Sequence, residues 1–205
     1  MTEAAAPALT ARRKPRVDRD ARRAKYVSTA AQVLLEKGLH GATMRDIAEA
    51  AGAAKVLFYR LFPSREALVE AVFAKVEAEI EEAYTQPWEG YGSMVRHVLA
   101  TARQEPAPFL VVLKNCRGGQ PEWEDRLRGL LARVSMPLFK PGENAPAGAD
   151  ERAMRASGAM FGLFVDSMIT WLEERDGLTD EERIRWWGKI VKAWRSAARE
   201  AFRLD

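Results

Sequence analysis

The sequence predicts an all-α protein with about nine helices. Apolar residues recur at spacings of three and four, and no stretch alternates with a period of two for long enough to suggest a sheet. Clusters of Pro and Gly separate these helical stretches. On this basis we expect helices at 18–37, 43–51, 55–62, 64–84, 93–104, 108–116, 122–135, 151–175 and 179–202.

The first predicted helix follows a strongly basic segment. Residues 1–70 carry 13 Lys and Arg against 8 Asp and Glu, whereas residues 71–205 carry 19 against 21. A polyanion would therefore bind at the N-terminal end. We expect residues 1–17 to be a flexible basic arm, and Arg19, Arg22, Arg23 and Lys25 to continue its charge into the helix. The basic residues of the arm are Arg12, Arg13, Lys14 and Arg16.

Helix boundaries near the basic segment carry recognisable end signals. Gly38 is suited to end the first helix, since glycine tolerates the left-handed backbone found there. Thr43 and Asp46 have the spacing of a capping box, with Asp in place of the usual Glu, and Ser64 can cap the fourth helix. Ala54, which precedes the third helix, has no hydroxyl to cap it.

The third predicted helix, at 55–62, is too short to be stable by itself. A helical wheel divides its side chains between two faces. The inward face carries Phe58, Leu61 and Phe62, which can pack on Val33, Ile47 and Ala48. The outward face carries Val56, Tyr59 and Arg60. Two helices joined by a turn at Gly52, with a basic and apolar outward face on the second, are typical of a helix-turn-helix unit.

In order and spacing, about residues 20–80 resemble the DNA-binding domain of the tetracycline-repressor (TetR) family. The matching residues are Ala30-Ala31, Leu34, Gly38, Thr43-Met-Arg-Asp-Ile47-Ala48, Ala51-Gly52, Lys55, Phe58-Tyr59 and Phe62-Pro63-Ser64-Arg65-Glu66-Ala67-Leu68. The resemblance implies a DNA-binding domain at 18–64, with the motif at about 43–62. It also implies a connecting helix at 65–84 and an effector-binding and dimerisation domain at 85–205.

The resemblance and the chemistry of the side chains together predict the DNA contacts. Family members use the positions of Tyr59 and Arg65 for phosphate, and cations near helix starts favour phosphate in general. Apolar side chains of the third helix can contact thymine methyl groups. The predicted contact residues are Thr43, Arg45, Lys55, Val56, Leu57, Tyr59, Arg60 and Arg65, together with the basic arm. The chain departs from the family at Ala53–Leu57, where family members commonly have Val-Ser/Thr-Lys/Arg-Gly-Thr.

The C-terminal part predicts a dimer and a ligand pocket. One stripe of the last helix is apolar, and we expect it to form a four-helix interface with a second copy, although it could also lie inside a monomer. The stripe residues are Ile184, Trp187, Val191, Trp194 and Ala198. We expect aromatic and polar side chains to line the pocket of a small-molecule effector. The aromatic candidates are Trp88, Tyr91, Phe109, Trp123, Phe139 and Phe161, and the polar candidates are Arg96, His97, Arg103, Asn115 and Arg117.

Other residue types restrict the remaining possibilities. Asp166 interrupts an apolar run, so it either has a cationic partner or lies on a solvated face. Cys116 is alone, which excludes an intrachain disulfide and favours a reducing compartment, and we interpret it as a packing residue. No apolar stretch suits a signal peptide or a membrane span, so we expect a cytoplasmic protein without a membrane partner. The two histidines lack metal-like spacing, so we expect no metal and no cofactor.

These expectations lead to one favoured function and two alternatives. The favoured function is a homodimeric repressor that binds an inverted-repeat operator in double-stranded DNA and is released by an unknown effector. The first alternative is an activator, or a regulator that responds to a protein partner, with the same fold. An enzyme with an aromatic-rich active site is a third possibility. We expect no enzyme, because the sequence shows no nucleophile and base pair and no phosphate-binding glycine loop.

Overall fold

The computed structural model describes residues 15–117 and 121–204, and within these ranges all regular structure is helical. The all-α prediction is confirmed. The ten helices are α1 (Pro15–Lys37), α2 (Met44–Ala50), α3 (Lys55–Leu61), α4 (Arg65–Thr85), α5 (Ser93–Gln104), α6 (Pro106–Cys116), α7 (Pro121–Phe139), α8 (Ala149–Gly158), α9 (Phe161–Leu172) and α10 (Asp180–Phe202).

Several predicted boundaries are wrong; for example, α7 continues to Phe139 and not to residue 135, and two further differences change the helix count and the start of α1. The described part of the chain has one helix more than expected, because the predicted helix at 151–175 is divided into α8 and α9. Gly158 and Gly162 flank the break, and glycine is a poor helix former. Helix α1 begins at Pro15 and not at residue 18, so the end of the predicted flexible arm is helical. Proline suits the first turn of a helix, where its missing N–H would have no partner.

The predicted helix ends are confirmed around the helix-turn-helix. The Asp46 backbone N–H donates to Thr43 Oγ1, and the Thr43 N–H donates back to the Asp46 carboxylate at 2.8 Å. Ser64 accepts from the Ala67 N–H at the start of α4. Gly38, which follows α1, has a φ of +78°, a conformation that other residues rarely adopt.

The first three helices enclose a small aromatic core. Phe58 of α3 and Phe62, which follows the helix, are buried with ring centroids 5.6 Å apart, and the ring of Tyr26 of α1 lies 5.5 Å from the Phe58 ring. Ile47 of α2 belongs to the same buried cluster. Burial on α1 and α2 therefore stabilises the short helix α3, as its sequence pattern predicts.

Helices α1 and α4 connect this core to the rest of the molecule. Helix α1 packs on α4 and α6, and α4 also packs on α5, α6 and α7. Arg126 of α7 lies over the Phe73 ring of α4 at 4.2 Å and donates to Glu70 and Glu77 of the same helix. The N-terminal helices are therefore held to the C-terminal ones by apolar packing and by a charged clamp.

The last helix packs inward on its own chain, which corrects the residues predicted for the dimer interface. Ile184, Trp187, Val191 and Ala198 are buried in the core of this chain. Trp194 is partly buried and donates from its indole N–H to the Ala156 carbonyl. The wide apolar stripe is thus occupied by α5, α7 and α8, because a helix packed among several neighbours needs a broader apolar face than one packed on a flat surface.

Ion pairs fix the start of α10. Arg183 is buried and donates to Asp176 at 2.5 Å and to Asp180 at 2.6 Å. Arg103 of α5 also donates to Asp180, at 2.9 Å, and to Glu174. Both guanidinium groups lower the pKa of Asp180, with Arg103 the larger cause.

Two residues singled out by the sequence have ordinary structural roles. Asp166 is exposed and accepts from Arg117 of the same chain at 2.7 Å, so it lies on a solvated face. Cys116 is fully buried, and burial raises the pKa of its thiol to about 12, which suits a packing residue. Within the ranges that the structure describes, no helix is both long and apolar enough to cross a membrane.

Candidate nucleic-acid interface and effector cavity

Helix α3 exposes one face and buries the other, as the helical wheel predicts. Phe58 has no accessible surface, whereas Val56 is 73% exposed, Leu57 42% and Tyr59 39%. Lys55 and Arg60 are exposed on the same helix. This helix therefore exposes large apolar side chains beside two cations. Such a surface suits an anionic partner that also presents apolar groups, as the DNA major groove does.

Two predicted contact residues lie at the start of α2, Arg45 and Thr43. They differ in whether their side chains are free to contact DNA. Arg45 has a side chain that is 85% exposed, and among the described residues its ion pair is with Glu49, one turn away. An exposed pair of this kind is weak, so Arg45 can exchange its partner for phosphate. The Thr43 hydroxyl donates to Asp46 at 2.6 Å and accepts the Asp46 N–H. Its hydrogen bonds are therefore used in capping α2.

Arg65 is placed differently from what the sequence suggests. Its Nε donates to the Ala42 carbonyl at 3.0 Å, and its Nη2 is buried without a hydrogen-bond partner among the described residues. A guanidinium held in this way joins the start of α4 to the turn before α2. Arg65 thus has a structural contact within the chain, and its predicted phosphate contact stays a prediction.

A cleft between α1 and α3 adds residues that the predicted site does not include. It has a volume of about 420 Å³ and is lined by Arg19 and Arg22 of α1 and by Leu57, Arg60 and Leu61 of α3. The sequence shows the basic residues of α1, but only packing brings them beside α3. Of the predicted arm, Arg12, Arg13 and Lys14 lie outside the described residues, and Arg16 lies in α1.

A cavity of about 390 Å³ lies among the C-terminal helices. Its wall includes the end of α4, the segment before α5, and parts of α7, α9 and α10. Trp88, Tyr91, Phe139 and Phe161, all predicted as possible lining residues of an effector pocket, line it. The sequence analysis did not assign three other large side chains of the wall to the pocket. They are Tyr84, Phe164 and Trp187.

The other predicted pocket residues do not line this cavity. Phe109 and Trp123 are buried in the core, and the Trp123 ring packs on Phe73 at 5.0 Å. Asn115 donates to the Val111 carbonyl of its own helix at 2.7 Å. Arg96 lines a separate open cleft next to α10. His97 is partly buried, and its Nε2 has no hydrogen-bond partner among the residues described.

The exposed α3, supported by α1 and α2 and followed by a larger all-helical part with a cavity, defines a helix-turn-helix protein with an attached helical region. Residues 27–72 match the family model described as bacterial regulatory proteins, tetR family. Within these residues, which include α2 and α3, the chain is similar to that family.

Individual proteins show the same similarity. The HTH-type transcriptional activator FasR of Mycolicibacterium smegmatis is 38% identical over 69 residues, which are 34% of this chain and 32% of FasR. A TetR-family transcriptional regulator from Streptomyces coelicolor has a TM-score of 0.59 at 16% identity, covering 89% of this chain and 82% of that one. FadR from Bacillus subtilis, in complex with stearoyl-CoA, has a TM-score of 0.58 at 15% identity, covering 84% and 97%. The structural likenesses concern the fold alone.

Proposed function

We propose that this protein is a transcriptional regulator that inserts α3 into the DNA major groove. The observation that carries the proposal is the exposed face of α3, where Val56 and Leu57 are open to solvent beside Lys55 and Tyr59. In this arrangement Lys55, Val56 and Leu57 read base edges, while Tyr59, Arg60 and Arg45 contact phosphates. The cleft arginine Arg19 extends the phosphate contacts onto α1, and Arg12, Arg13 and Lys14 add contacts from upstream of α1.

We assign a separate role to each of three parts of the chain. Residues 18–64 form the DNA-binding part, 65–84 the connecting helix, and 85–205 the effector-binding and dimerisation part. We place the dimer contact on the exposed faces of α9 and α10, where Leu163 is 39% exposed and Trp186 is 42% exposed. A two-fold dimer presents two α3 helices and so matches an inverted repeat.

An effector in the cavity would act through α4. Ala83 and Tyr84, near the end of α4, line the cavity, and Arg65 at its start holds the Ala42 carbonyl. One helix thus joins the cavity to the turn before α2. The clamp of Arg126 on Glu70 and Glu77 adds a second link, because α7 also lines the cavity. A ligand that favours one position of α4 would change the spacing of the two α3 helices and lower the affinity for DNA.

We favour repression relieved by the effector, and activation is the second candidate. FasR is named as an activator, but its aligned 69 residues are a third of either protein. The sign of regulation depends on where the operator lies relative to the promoter, which the position of a footprint would decide.

The test is a selection of duplexes from a random pool with the full chain. The expected product is an inverted repeat whose half-site centres lie about 34–36 Å apart, one helical turn. On that DNA, Lys55→Ala should weaken binding by roughly 5- to 150-fold and relax base preference. Tyr59→Phe should weaken all sequences alike, by roughly 2- to 12-fold for one hydrogen bond.

The matched control is Arg155→Ala, which also removes charge but lies on α8 with an 81% exposed side chain. It should bind DNA like the parent chain. Light scattering of the same sample should give about twice the chain mass of 23.0 kDa. Unchanged binding by both α3 variants would refute the groove assignment, and a monomer in solution would refute the two-fold site.

A further inference from the structure

The cavity described above has a wall chemistry that restricts its ligand. Seven aromatic rings line it, together with the aliphatic side chains of Leu131, Val134, Leu138 and Val191. Trp187 lies at 3% exposure and Phe139 at 1%, whereas Trp88 is 58% exposed. Trp88 and Tyr91 contact each other edge to face, with ring centroids 5.4 Å apart. The exposed Trp88 marks the mouth of the cavity, and the buried rings mark its inner wall.

The serine hydroxyls of the wall already have partners. Ser157 donates to the Ala132 carbonyl at 2.7 Å, and the Ser157 and Ser135 hydroxyl oxygens lie 2.6 Å apart. Ser93 donates to the Gly90 carbonyl at 2.9 Å. These groups are satisfied by the protein itself, so a ligand gains little by contacting them.

The hydroxyl of Tyr84 differs from the serines. It makes no hydrogen bond with any residue that the structure describes, and the burial of its ring raises the pKa of the phenol. It therefore stays protonated at neutral pH and can donate one hydrogen bond. A ligand oxygen within reach of this phenol can accept that hydrogen bond, since Tyr84 lines the cavity.

Charged side chains are almost absent from the described wall. Arg133 is the one charged lining residue, and it is exposed to solvent. A charged group placed at the inner wall, away from Arg133, would have to lose its hydration without gaining an ion pair. The wall thus excludes a carboxylate or an ammonium group from the interior.

We infer that the effector of this cavity is an uncharged, mainly apolar molecule with one oxygen that accepts a hydrogen bond from Tyr84. The role of this molecule as an effector rests on the proposed function, but its binding does not. Aromatic and aliphatic surfaces of the wall supply most of the affinity through burial of apolar area. Tyr84 orients the molecule and lies on α4, the helix that leads to the DNA-binding part.

Three small molecules of equal chain length test the charge requirement: 1-octanol, octanoate and octylammonium. Isothermal titration of the full chain at pH 7.5 should show that 1-octanol binds at least about tenfold more tightly than either ion, because burial of an unpaired charge is unfavourable. Tighter binding of octanoate or octylammonium, or equal binding of all three, would overturn the inference.

Two phenol variants test the hydrogen bond. Tyr84→Phe should weaken 1-octanol binding by roughly 2- to 12-fold, the effect of one hydrogen bond. Tyr91→Phe is the matched control, because Tyr91 lines the same cavity next to Trp88 at its mouth, and it should bind 1-octanol like the parent chain. Octyl methyl ether, which can accept but not donate, should show the same loss in Tyr84→Phe. Loss of affinity in Tyr91→Phe alone would refute the role of Tyr84.

The titration contains no DNA, so it separates this inference from the proposed function. DNA binding of the same preparations is measured on the selected inverted repeat. A chain that binds 1-octanol through Tyr84 but binds no DNA would refute the proposed regulator and support the cavity assignment. A chain that binds DNA but prefers charged octyl compounds would support the proposed regulator and refute the cavity assignment.

Discussion

The surface of α3 and the cavity at the end of α4 use similar side chains in opposite ways. On α3, Val56 and Leu57 face solvent, and the aromatic Phe58 is buried beneath them. Around the cavity, Trp187 and Phe139 are buried and line its wall. The first arrangement is convex and suits the large partner that we propose. The second is concave and suits a small molecule.

The two regions also differ in how the chain assembles them. The exposed face of α3 comes from consecutive turns of one seven-residue helix. The cavity wall comes from residues between Ala83 and Val191, more than 100 positions apart. Local substitutions should therefore act strongly and predictably on the first region. In the second, stability depends on long-range contacts such as the ion pairs at the start of α10.

The largest expected effect is the loss of the core beneath α3. Phe58→Ala should lower the free energy of unfolding by about 3–5 kcal/mol, since it removes a fully buried ring and leaves a cavity. Val56→Ala is the control on the same helix and should change it by less than about 0.5 kcal/mol, because Val56 is 73% exposed. Chemical denaturation followed by circular dichroism measures both. Equal effects of the two changes would contradict the assignment of the faces.

Helix caps should give smaller effects of opposite sign. Thr43→Ala removes the capping box of α2 and should destabilise the protein by about 1 kcal/mol. Ala54→Ser adds a cap to α3, because Ala54 has an extended backbone, with φ −61° and ψ 123°, and makes no side-chain cap. This change should raise the free energy of unfolding by about 0.5–1 kcal/mol. The same denaturation experiment applies, and a destabilising serine would show that the turn before α3 cannot orient its hydroxyl.

The smallest expected effect is the acid dependence at the start of α10. Arg103 lowers the folded-state pKa of Asp180, so this carboxylate stabilises the fold above its unfolded pKa of about 3.9 and loses that contribution as the pH falls through the folded pKa. Arg103→Gln should therefore reduce the fall in melting temperature between pH 7 and pH 3. Arg185→Gln is the control, because its pair with Glu181 is exposed and should add little. If the melting temperature of Arg103→Gln falls as much as that of the parent chain, Arg103 does not cause the pH dependence.

The sequence by itself determined the helical class, the helix-turn-helix and the two faces of α3. It also determined the capping box at Thr43 and the cap at Ser64. Each of these depends on residues three or four apart, which one helix or one turn brings together. Periodicity and turn chemistry report such local contacts directly.

Only the tertiary structure decided which apolar faces meet which neighbours. The stripe of Ile184 and Trp187 could cover a second copy or an inner wall, and packing on α5, α7 and α8 placed it inside the chain. Packing likewise brought Arg19 of α1 to α3, and it brought Tyr84 to a cavity that Phe109 and Trp123 do not reach. The physical reason is that burial of apolar area has no preferred direction, so an apolar stripe does not specify its partner, which depends on how all ten described helices pack together.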